Sequence, residues 1–170
     1  IIKNETIIFG NLPYNISSQI LVKFLKFNVW PPKFNDLILM FQKELADKII
    51  GEYLSTNYGR ISIISNYRLK VLKKFNVSAN CFIPKPKITS TLLHFRPIQK
   101  NGFKIKDINN LEKVTNILFS ERRKMISKNI KKILNKKEIS QINGLILNYR
   151  PSQLNPDIYY KITEFFEKKN

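Results

Sequence analysis

An apolar run followed at once by a tight polar turn is the feature that most constrains the fold of this chain. Residues 6–9 read TIIF, and the turn that follows contains Asn11, Pro13 and Tyr14. A second apolar run, LILMF, occupies residues 37–41. Short apolar runs bounded by turn-forming residues are typical of strands that are buried on both faces, so both runs are predicted to be strands.

A helix is predicted between these two strands, with Ser17 as its N-cap. Its apolar side chains recur at helical spacing and are Ile20, Leu21, Phe24 and Leu25. The order strand, turn, helix, strand predicts a parallel α/β sheet. The Asn11 turn then lies at the carboxyl end of a strand, which is where open α/β sheets bind their ligands.

The rest of the first hundred residues continues this pattern. A helix is predicted at residues 42–54, with an apolar stripe that runs to Leu54, and a short helix is favoured at 59–67. Two strands are predicted on either side of the loop NCFIPKPK, in which Pro84 and Pro86 prevent continued sheet pairing.

A linker is predicted at residues 97–106, and the chain beyond it is predicted to be helical. The apolar positions that indicate helices form two stripes and a closing segment: Leu111, Val114 and Leu118; Ile126, Ile130 and Leu134; Tyr159, Tyr160, Ile162, Phe165 and Phe166. A mixed α/β part followed by an all-α part is therefore expected.

The charge of the chain indicates a polyanionic partner. Thirty lysines and arginines against twelve acidic residues give a formal net charge of +18, which favours nucleic acid. The abundance of Lys, Asn and Ile is also what an AT-rich genome produces, so charge alone does not decide. No apolar run approaches the roughly 20 residues that span a bilayer.

The scarcity of cysteine and histidine excludes several kinds of site. Cys81 is the only cysteine and His94 the only histidine, so the chain can form neither a disulfide framework nor a Cys/His metal cluster. His94 lies in an alternating run and is predicted to face solvent on a strand. Nucleophilic schemes that need a histidine are therefore not favoured.

The Asn11 turn suits one chemical task, which is to hold a planar heterocycle by its exocyclic amine. Such an amine is a poor nucleophile because its lone pair is delocalised into the ring. The Asn11 side-chain oxygen and the Leu12 carbonyl would each accept one N–H and aim the lone pair at an electrophile. Pro13 would fix this backbone, and Tyr14 would offer a stacking face.

Residues 10–17, GNLPYNIS, resemble the motif of S-adenosylmethionine-dependent adenine-N6 methyltransferases, and in this form they are similar to the ribosomal RNA adenine dimethyltransferases. Four further stretches agree in order and spacing: QKE at 42–44, YGRISI at 58–63, FIPKPKITS at 82–90 and FSERRKMI at 119–126. Leu12 before the proline, and the last stretch, favour the small-subunit enzymes of the KsgA type. The alternative is the antibiotic-resistance type, which acts on the large subunit.

The resemblance implies N6,N6-dimethylation of two adjacent adenosines near the 3′ end of small-subunit rRNA, with S-adenosylmethionine as methyl donor and a role in ribosome biogenesis. Asn11 and Leu12 would bind the amine and the methyl end of the cofactor, Pro13 would shape the turn, and Tyr14 and Phe82 would stack on the adenine. The residues implied to contact rRNA phosphates are Arg60, Arg122, Arg123, Lys124 and Lys128.

The resemblance covers the second half of a Rossmann-like class I methyltransferase sheet, residues 1–97, and a small all-α rRNA-binding domain, residues 98–170. The five glycines, at positions 10, 51, 59, 102 and 144, form no glycine-rich cofactor loop of the kind this family carries. We therefore expect a fragment of a longer protein, inactive alone, that binds S-adenosylmethionine weakly or not at all and aggregates through an exposed apolar sheet edge.

For the full-length protein, the resemblance implies a monomer without a metal or a membrane segment. It would act on immature small ribosomal subunits, in a bacterial cytoplasm or in an organellar matrix if the source is eukaryotic.

Each assignment has an alternative that stays open at this point. In these alternatives, Asn11 caps the following helix, Tyr14 and Phe82 are core aromatics, and Arg122 to Lys124 form a solvated helix end. For the whole chain, the alternatives are a non-catalytic relative such as a mitochondrial transcription factor, an RNA-binding or ribosome-assembly module, and a DNA adenine methyltransferase.

Overall fold

The structure is a computed structural model, and it describes residues 6–169. Its four strands are β1 (Thr6–Asn11), β2 (Phe34–Gln42), β3 (Leu69–Val77) and β4 (Ser90–Pro97). Its helices are α1 (Ser17–Leu25), α2 (Lys43–Ile50), α3 (Arg60–Arg68), α4 (Ile108–Phe119), α5 (Ser127–Ile130), α6 (Lys136–Ser140) and α7 (Pro156–Lys169). Two short 3₁₀ helices lie at Ala79–Cys81 and Pro151–Gln153.

The chain divides into two compact units. One contains the chain up to Ile50 together with Ser65–Lys100, and the other contains Gly51–Ile64 together with the chain from Asn101 onward. The predicted boundary at 97/98 lies close to the second change of unit. Residues 51–64 were predicted to belong with residues 1–97, but they lie in the second unit. Tyr53 and Tyr58 connect them to that unit by donating hydrogen bonds to the carbonyls of Gln153 and Leu154.

The sheet of the first unit has the strand order β1-β2-β4-β3. β1 and β2 are parallel, with Asn11 opposite Met40, which confirms the arrangement predicted for these two strands. β4 is antiparallel to both β2 and β3. The sheet is therefore mixed rather than wholly parallel, because β3 and β4 are joined by a loop and antiparallel neighbours need no helical crossover.

The core of the first unit is formed by apolar side chains of the sheet and of its helices. Leu21 and Leu25, at helical spacing, are fully buried, as the sequence predicts. The aromatic side chains pack edge to face, with ring centroids 5.9 Å apart for Phe24 and Phe34 and 6.3 Å apart for Phe41 and Phe95. Burial of several large apolar side chains supplies most of the free energy that stabilises this unit.

β1 differs from the prediction of a strand buried on both faces. Its residues alternate between intermediate and exposed, and Ile7 and Phe9 are 49% and 71% exposed. The reason is its position, since β1 lies at the edge of the described sheet and pairs only with β2 there. The expectation of an apolar sheet edge is confirmed by these two side chains.

Two helix ends also differ from the prediction. Ser17 is the first residue of α1, not its N-cap; the N-cap position is Ile16, which makes no side-chain capping bond. α2 ends at Ile50, directly before Gly51, so Leu54 lies outside the helix with a φ of 68° and is 70% exposed. The helix predicted to reach Leu54 therefore ends four residues earlier, at Ile50, because the chain leaves the helical conformation at the glycine.

The second unit is built from helices and turns, as predicted. The stripe of α4 is fully buried, and so are the apolar side chains at 126, 130 and 134. Only Ser127–Ile130 is helical within that second stripe, because turns interrupt the chain on either side. α7 closes the unit, with Tyr159 stacked on Phe119 at 5.8 Å between ring centroids.

Two kinds of feature are absent from the described residues. No helix within residues 6–169 is both long and apolar enough to span a bilayer. No three His, Cys, Asp or Glu side chains in that range lie close enough together to hold a metal ion.

Candidate functional site

The turn after β1 is held by three local features. The Ile16 amide donates to the Pro13 carbonyl at 3.2 Å, and the Ser17 hydroxyl donates to the Tyr14 carbonyl at 3.1 Å. Gly10 leaves room for the turn, since a Cβ at this position would lie 3.0 Å from a methyl carbon of Leu12. The sequence thus fixes the backbone that presents Asn11 and Leu12.

Asn11 is the last residue of β1 and its side chain is exposed. It does not cap α1, which has Ile16 at its N-cap, so the helix-cap alternative is wrong. Among residues 6–169 no partner takes up the hydrogen-bonding groups of the Asn11 side chain, and none donates to the Leu12 carbonyl. Two oxygen acceptors at one turn therefore remain available to a ligand.

Tyr14 is anchored at both ends. Its phenol lies 2.5 Å from the Ser90 hydroxyl, and its backbone carbonyl accepts the Ser17 bond. Ser90 is fully buried at the start of β4. Ser90 was missed as a site residue by the sequence analysis, although it ends the quoted stretch FIPKPKITS, which was the available signal.

The loop before β4 forms the opposite wall. It begins after the 3₁₀ turn Ala79–Cys81, which Ser78 caps by accepting a hydrogen bond from the Asn80 amide at 3.2 Å. A cavity of about 290 Å³ lies between this loop and the Asn11 turn, and it is lined by Asn11, Leu12, Pro13, Tyr14, Phe82, Ile83, Pro84 and Pro86. The four residues predicted to bind or stack on the adenine, and Pro13, which was predicted to shape the turn, therefore line one cavity.

Tyr14 and Phe82 are half-buried, which differs from the alternative of two core aromatics. Neither ring packs against another aromatic ring in the part of the chain that the structure describes. The cavity lies at the lower end of the range for ligand pockets, about 300 to 1,000 Å³. Its size and its lining fit a single planar ring.

The cavity carries little charge. None of its eight lining residues is a carboxylate, a histidine or a lysine. The histidine of the chain is engaged elsewhere: His94 is only 20% exposed, and its Nε2 lies 2.9 Å from Asp36 Oδ1. The prediction that His94 faces solvent is therefore wrong, because the buried Asp36 carboxylate draws the imidazole towards it.

Comparison with known proteins decides the family. The family model described as ribosomal RNA adenine dimethylase matches residues 1–168.

The chain belongs to the ribosomal RNA adenine dimethylase family.

Two relatives illustrate how this family member compares with longer chains. The ribosomal RNA small subunit methyltransferase A of Pelagibacter ubique is 48% identical over 164 residues, which cover 94% of this chain and 61% of that protein. The protein of the same name from Zymomonas mobilis is 33% identical over 162 residues, which cover 95% of this chain and 57% of that protein. The chain thus spans about three fifths of the length of these relatives.

Solved structures confirm the predicted fold class. A dimethyladenosine transferase from Plasmodium falciparum superposes with a TM-score of 0.76 at 23% identity, covering 99% of this chain and 69% of that one. The 23S rRNA methyltransferase ErmE gives a TM-score of 0.67 at 17% identity, with coverages of 96% and 66%. The mixed sheet with its helices therefore has the class I methyltransferase fold of rRNA dimethyltransferases.

The basic residues predicted to contact RNA all lie in the second unit. Arg122, Arg123 and Lys124 are exposed in the turn that follows α4, and Lys128 is exposed on α5. Arg122 also donates to the Tyr58 carbonyl at 3.4 Å. Arg60 is half-buried, and its Nε has no hydrogen-bond partner among the described residues. That nitrogen is itself buried, so the structure does not present it to a phosphate, whereas the cations at 122, 123, 124 and 128 are exposed.

Proposed function

We propose that this chain carries the adenine-binding and RNA-binding parts of an S-adenosylmethionine-dependent rRNA adenine-N6 dimethyltransferase. Its substrate would be two adjacent adenosines near the 3′ end of small-subunit rRNA, in immature small ribosomal subunits. One observation carries the proposal: the Asn11–Tyr14 turn and Phe82 line a single cavity that has oxygen acceptors, aromatic rings and no charged group.

The proposed role of Asn11 and Leu12 is to reshape the target amine. The N6 lone pair of adenine is conjugated with the ring, so the planar amine is weakly nucleophilic. The Asn11 Oδ1 and the Leu12 carbonyl would each accept one N–H, which draws the nitrogen towards tetrahedral geometry. Both oxygens lack competing partners among residues 6–169, so they need not break other bonds to do this.

No general base is needed in this scheme. The N6 proton becomes acidic only after the nitrogen has gained a methyl group, and water can then remove it. The absence of a carboxylate or an imidazole among the eight lining residues is consistent with this order. For the second methyl transfer, the monomethylated amine has one N–H left, so one of the two acceptors would suffice.

The proposed role of Tyr14 and Phe82 is to hold an adenine that has left its stack. Base–aromatic stacking contributes about 1 to 3 kcal/mol per base, which offsets the cost of unstacking. The hydrogen bond between the hydroxyls of Tyr14 and the buried Ser90 fixes one ring before the base arrives. A fixed ring loses little conformational entropy on binding.

S-adenosylmethionine, when bound, supplies an electrophilic methyl group on a positively charged sulfur. The neutral oxygens of Asn11 and Leu12 fit this group, because they can contact the polarised methyl without a repelling positive charge nearby. The residues that would hold the rest of the cofactor are not identified, since the glycines of the chain form no glycine-rich loop.

The proposed RNA contacts are electrostatic. The net charge of +18 would attract rRNA, and Arg60, Arg122, Arg123, Lys124 and Lys128 would contact its phosphates. The names of the two relatives quoted above favour the small-subunit substrate over the large-subunit one. A non-catalytic RNA-binding role would not require the uncharged cavity at the Asn11 turn.

The test separates adenine binding from methyl transfer, because the chain spans only part of its relatives' length. The affinity of the chain is measured for two seven-residue oligouridylates. One has two central adenosines, and the other has two central N6,N6-dimethyladenosines, which have no N–H to donate. We expect the first to bind more tightly, by about 5-fold or more. Asn11→Ala should remove that preference.

Methyl transfer to immature small ribosomal subunits is measured in parallel with tritiated S-adenosylmethionine. Ile83→Ala is the matched control, since Ile83 lines the cavity but has no polar side chain to offer the amine. Equal affinity for the two oligonucleotides, or a preference that survives Asn11→Ala, would contradict the proposed role of the turn.

A further inference from the structure

The second unit contains a cavity that the proposed function does not use. Its volume is about 480 Å³, well within the range of about 300 to 1,000 Å³ that is usual for ligand pockets. Its lining combines aromatic, amide, acidic and basic side chains: Tyr53, Asn143, Gly144, Ile146, Tyr149, Gln153, Leu154, Asn155, Asp157, Ile158 and Lys161.

The aromatic part of this cavity is already held in place. Tyr53 donates to the Gln153 carbonyl at 2.9 Å and packs edge to face on Tyr58 at 5.7 Å. The backbone of Tyr149 is tied at both ends, since its amide donates to Ile146 and its carbonyl accepts from Ile126. Both lining tyrosines are 38% exposed, so each presents ring surface to a ligand without losing its anchor.

The polar part of the cavity has both hydrogen-bond donors and hydrogen-bond acceptors available. Gln153 and Asn155 use their side-chain oxygens to accept from Arg150 and Asp157 amides, which leaves their NH₂ groups as donors. The Asp157 carboxylate has no hydrogen-bond or ion-pair partner in the described part of the chain. It therefore remains an acceptor for a ligand.

Asp157 and Lys161 are one helical turn apart on α7, a spacing at which opposite charges commonly pair. They do not pair here, because Lys161 Nζ donates to the Asn143 carbonyl at 3.3 Å instead. An ammonium has three protons, so Lys161 keeps two for another acceptor. The helix thus presents a free acceptor and a free donor side by side.

This combination favours a nucleobase over an isolated phosphate, because Asp157 repels anions. We propose that the cavity binds one unpaired guanine of the RNA substrate. Guanine offers two donors, N1–H and the 2-amino group, to a carboxylate, and its O6 accepts from an ammonium. Tyr53 and Tyr149 supply the stacking surface that unpaired bases require. The inference rests on the proposed function, since it takes RNA as the ligand.

The experiment compares two seven-residue oligouridylates, one with a central guanosine and one with a central inosine. Inosine keeps O6 and N1–H and lacks only the 2-amino group, while the phosphate charge is identical. Affinities for the 170-residue chain are measured by fluorescence anisotropy. We expect guanosine to bind at least about 5-fold more tightly.

Substitutions test whether the preference for guanosine over inosine comes from this cavity. Asp157→Asn should abolish it, whereas Glu121→Gln, which removes a charge from an exposed residue outside the cavity, should preserve it. Tyr149→Ala should weaken both oligonucleotides by about 5- to 150-fold, and Tyr149→Phe should not, because stacking needs only the ring. Thermal unfolding of each variant checks that it is folded.

Equal binding of the two oligonucleotides, or a guanosine preference that Asp157→Asn leaves unchanged, would overturn the inference. The assay uses no methyl donor and no adenosine. The guanine site and the adenine site can therefore fail independently, since Asn11→Ala affects only the adenosine test and Asp157→Asn only the guanosine test.

Discussion

Arg68 is a buried cation that ends a helix. It is only 7% exposed, and its Nη1 donates to the carbonyls of Leu25 and Phe27 at 2.6 and 2.8 Å. These carbonyls lie at the end of α1, where helix carbonyls lack partners within the helix. The guanidinium also lies 4.6 Å from the centre of the Trp30 ring. One side chain therefore joins α1 to the segment that leads into β2.

Replacing this side chain tests its contribution to stability. We expect Arg68→Met to lower the free energy of unfolding by about 2 to 4 kcal/mol, because it leaves two buried carbonyls without their charged donor. Chemical denaturation measures the change. Arg123→Met is the control, since Arg123 is exposed, and it should change stability by no more than about 0.5 kcal/mol. Similar values for both variants would contradict this role.

Asp36 gives the first unit a dependence on pH. Burial acts to raise its pKa, but hydrogen bonds from Arg96 and His94 outweigh that effect and hold the pKa below its usual 3.8. A carboxyl whose pKa is lowered by folding adds stability above its unfolded-state pKa and loses it as the pH falls through the folded-state pKa. Its contribution is therefore lost below pH 3.8, not near neutrality.

The test compares the stability of the unchanged chain with that of the Asp36→Asn variant. We expect the variant to be less stable at about pH 6 and the difference to be smaller at a pH below 3.8, where the pH approaches the lowered pKa of the native carboxyl. Urea denaturation at the two pH values gives both differences. A difference that does not change with pH would show that Asp36 acts through packing rather than through its charge.

At the scale of elements, α7 fixes the segment that precedes α4. Glu167 is 8% exposed and accepts from the Lys106 and Asp107 amides at 2.7 and 2.9 Å, and from Asn110 Nδ2 at 3.0 Å. Both carboxylate oxygens are used. An amide in the same place would turn one acceptor into a donor that faces another donor.

We therefore expect Glu167→Gln to lower the free energy of unfolding by about 1 to 3 kcal/mol. Glu164→Gln is a matched control on the same helix. Among the described residues Glu164 accepts one bond, from the Lys104 amide, and glutamine retains one oxygen that can accept it. Thermal or chemical unfolding distinguishes the two; equal losses would mean that the number of acceptor oxygens is not what matters.

The elements of this fold were largely predictable because local signals and tertiary structure agree. The Asn11 turn, the short helix α3 and the β3–β4 pair were found from apolar runs bounded by prolines and polar turns. The solvent exposure of β1 was not, because the run TIIF indicates a strand but does not say how many neighbours it has. Burial depends on the pairing partners, which local sequence does not encode.

The site was predictable only in part for the same reason. Asn11, Leu12, Pro13 and Tyr14 are adjacent in sequence and were found together, and Phe82 was added by the resemblance. Ser90 lies within the stretch FIPKPKITS, but its contact with Tyr14 joins residues 76 positions apart, and local sequence does not show that contact. The residues of the proposed guanine site are scattered from Tyr53 to Lys161, so only folding brings them to one cavity.

At the scale of the whole molecule, the charge predicts how RNA binding responds to salt. We expect replacement of Arg122, Arg123 and Lys124 by glutamine to reduce the slope of log K against log salt by about 0.7 for each lost phosphate contact. The control removes three charges elsewhere by replacing Lys43, Lys48 and Lys74, which are already paired with acidic side chains. An equal change in slope would indicate a diffuse effect of net charge.

The hydrogen bond between Tyr14 and Ser90 joins residues that are 76 positions apart. Ser90 reaches that place only when β4 has paired with β2, where it lies opposite Gln42. Such distant pairings form late, because the intervening chain must be ordered first. A newly made chain would therefore have the turn before it has the cavity. An intact cavity thus reports that this long-range sheet pairing is complete.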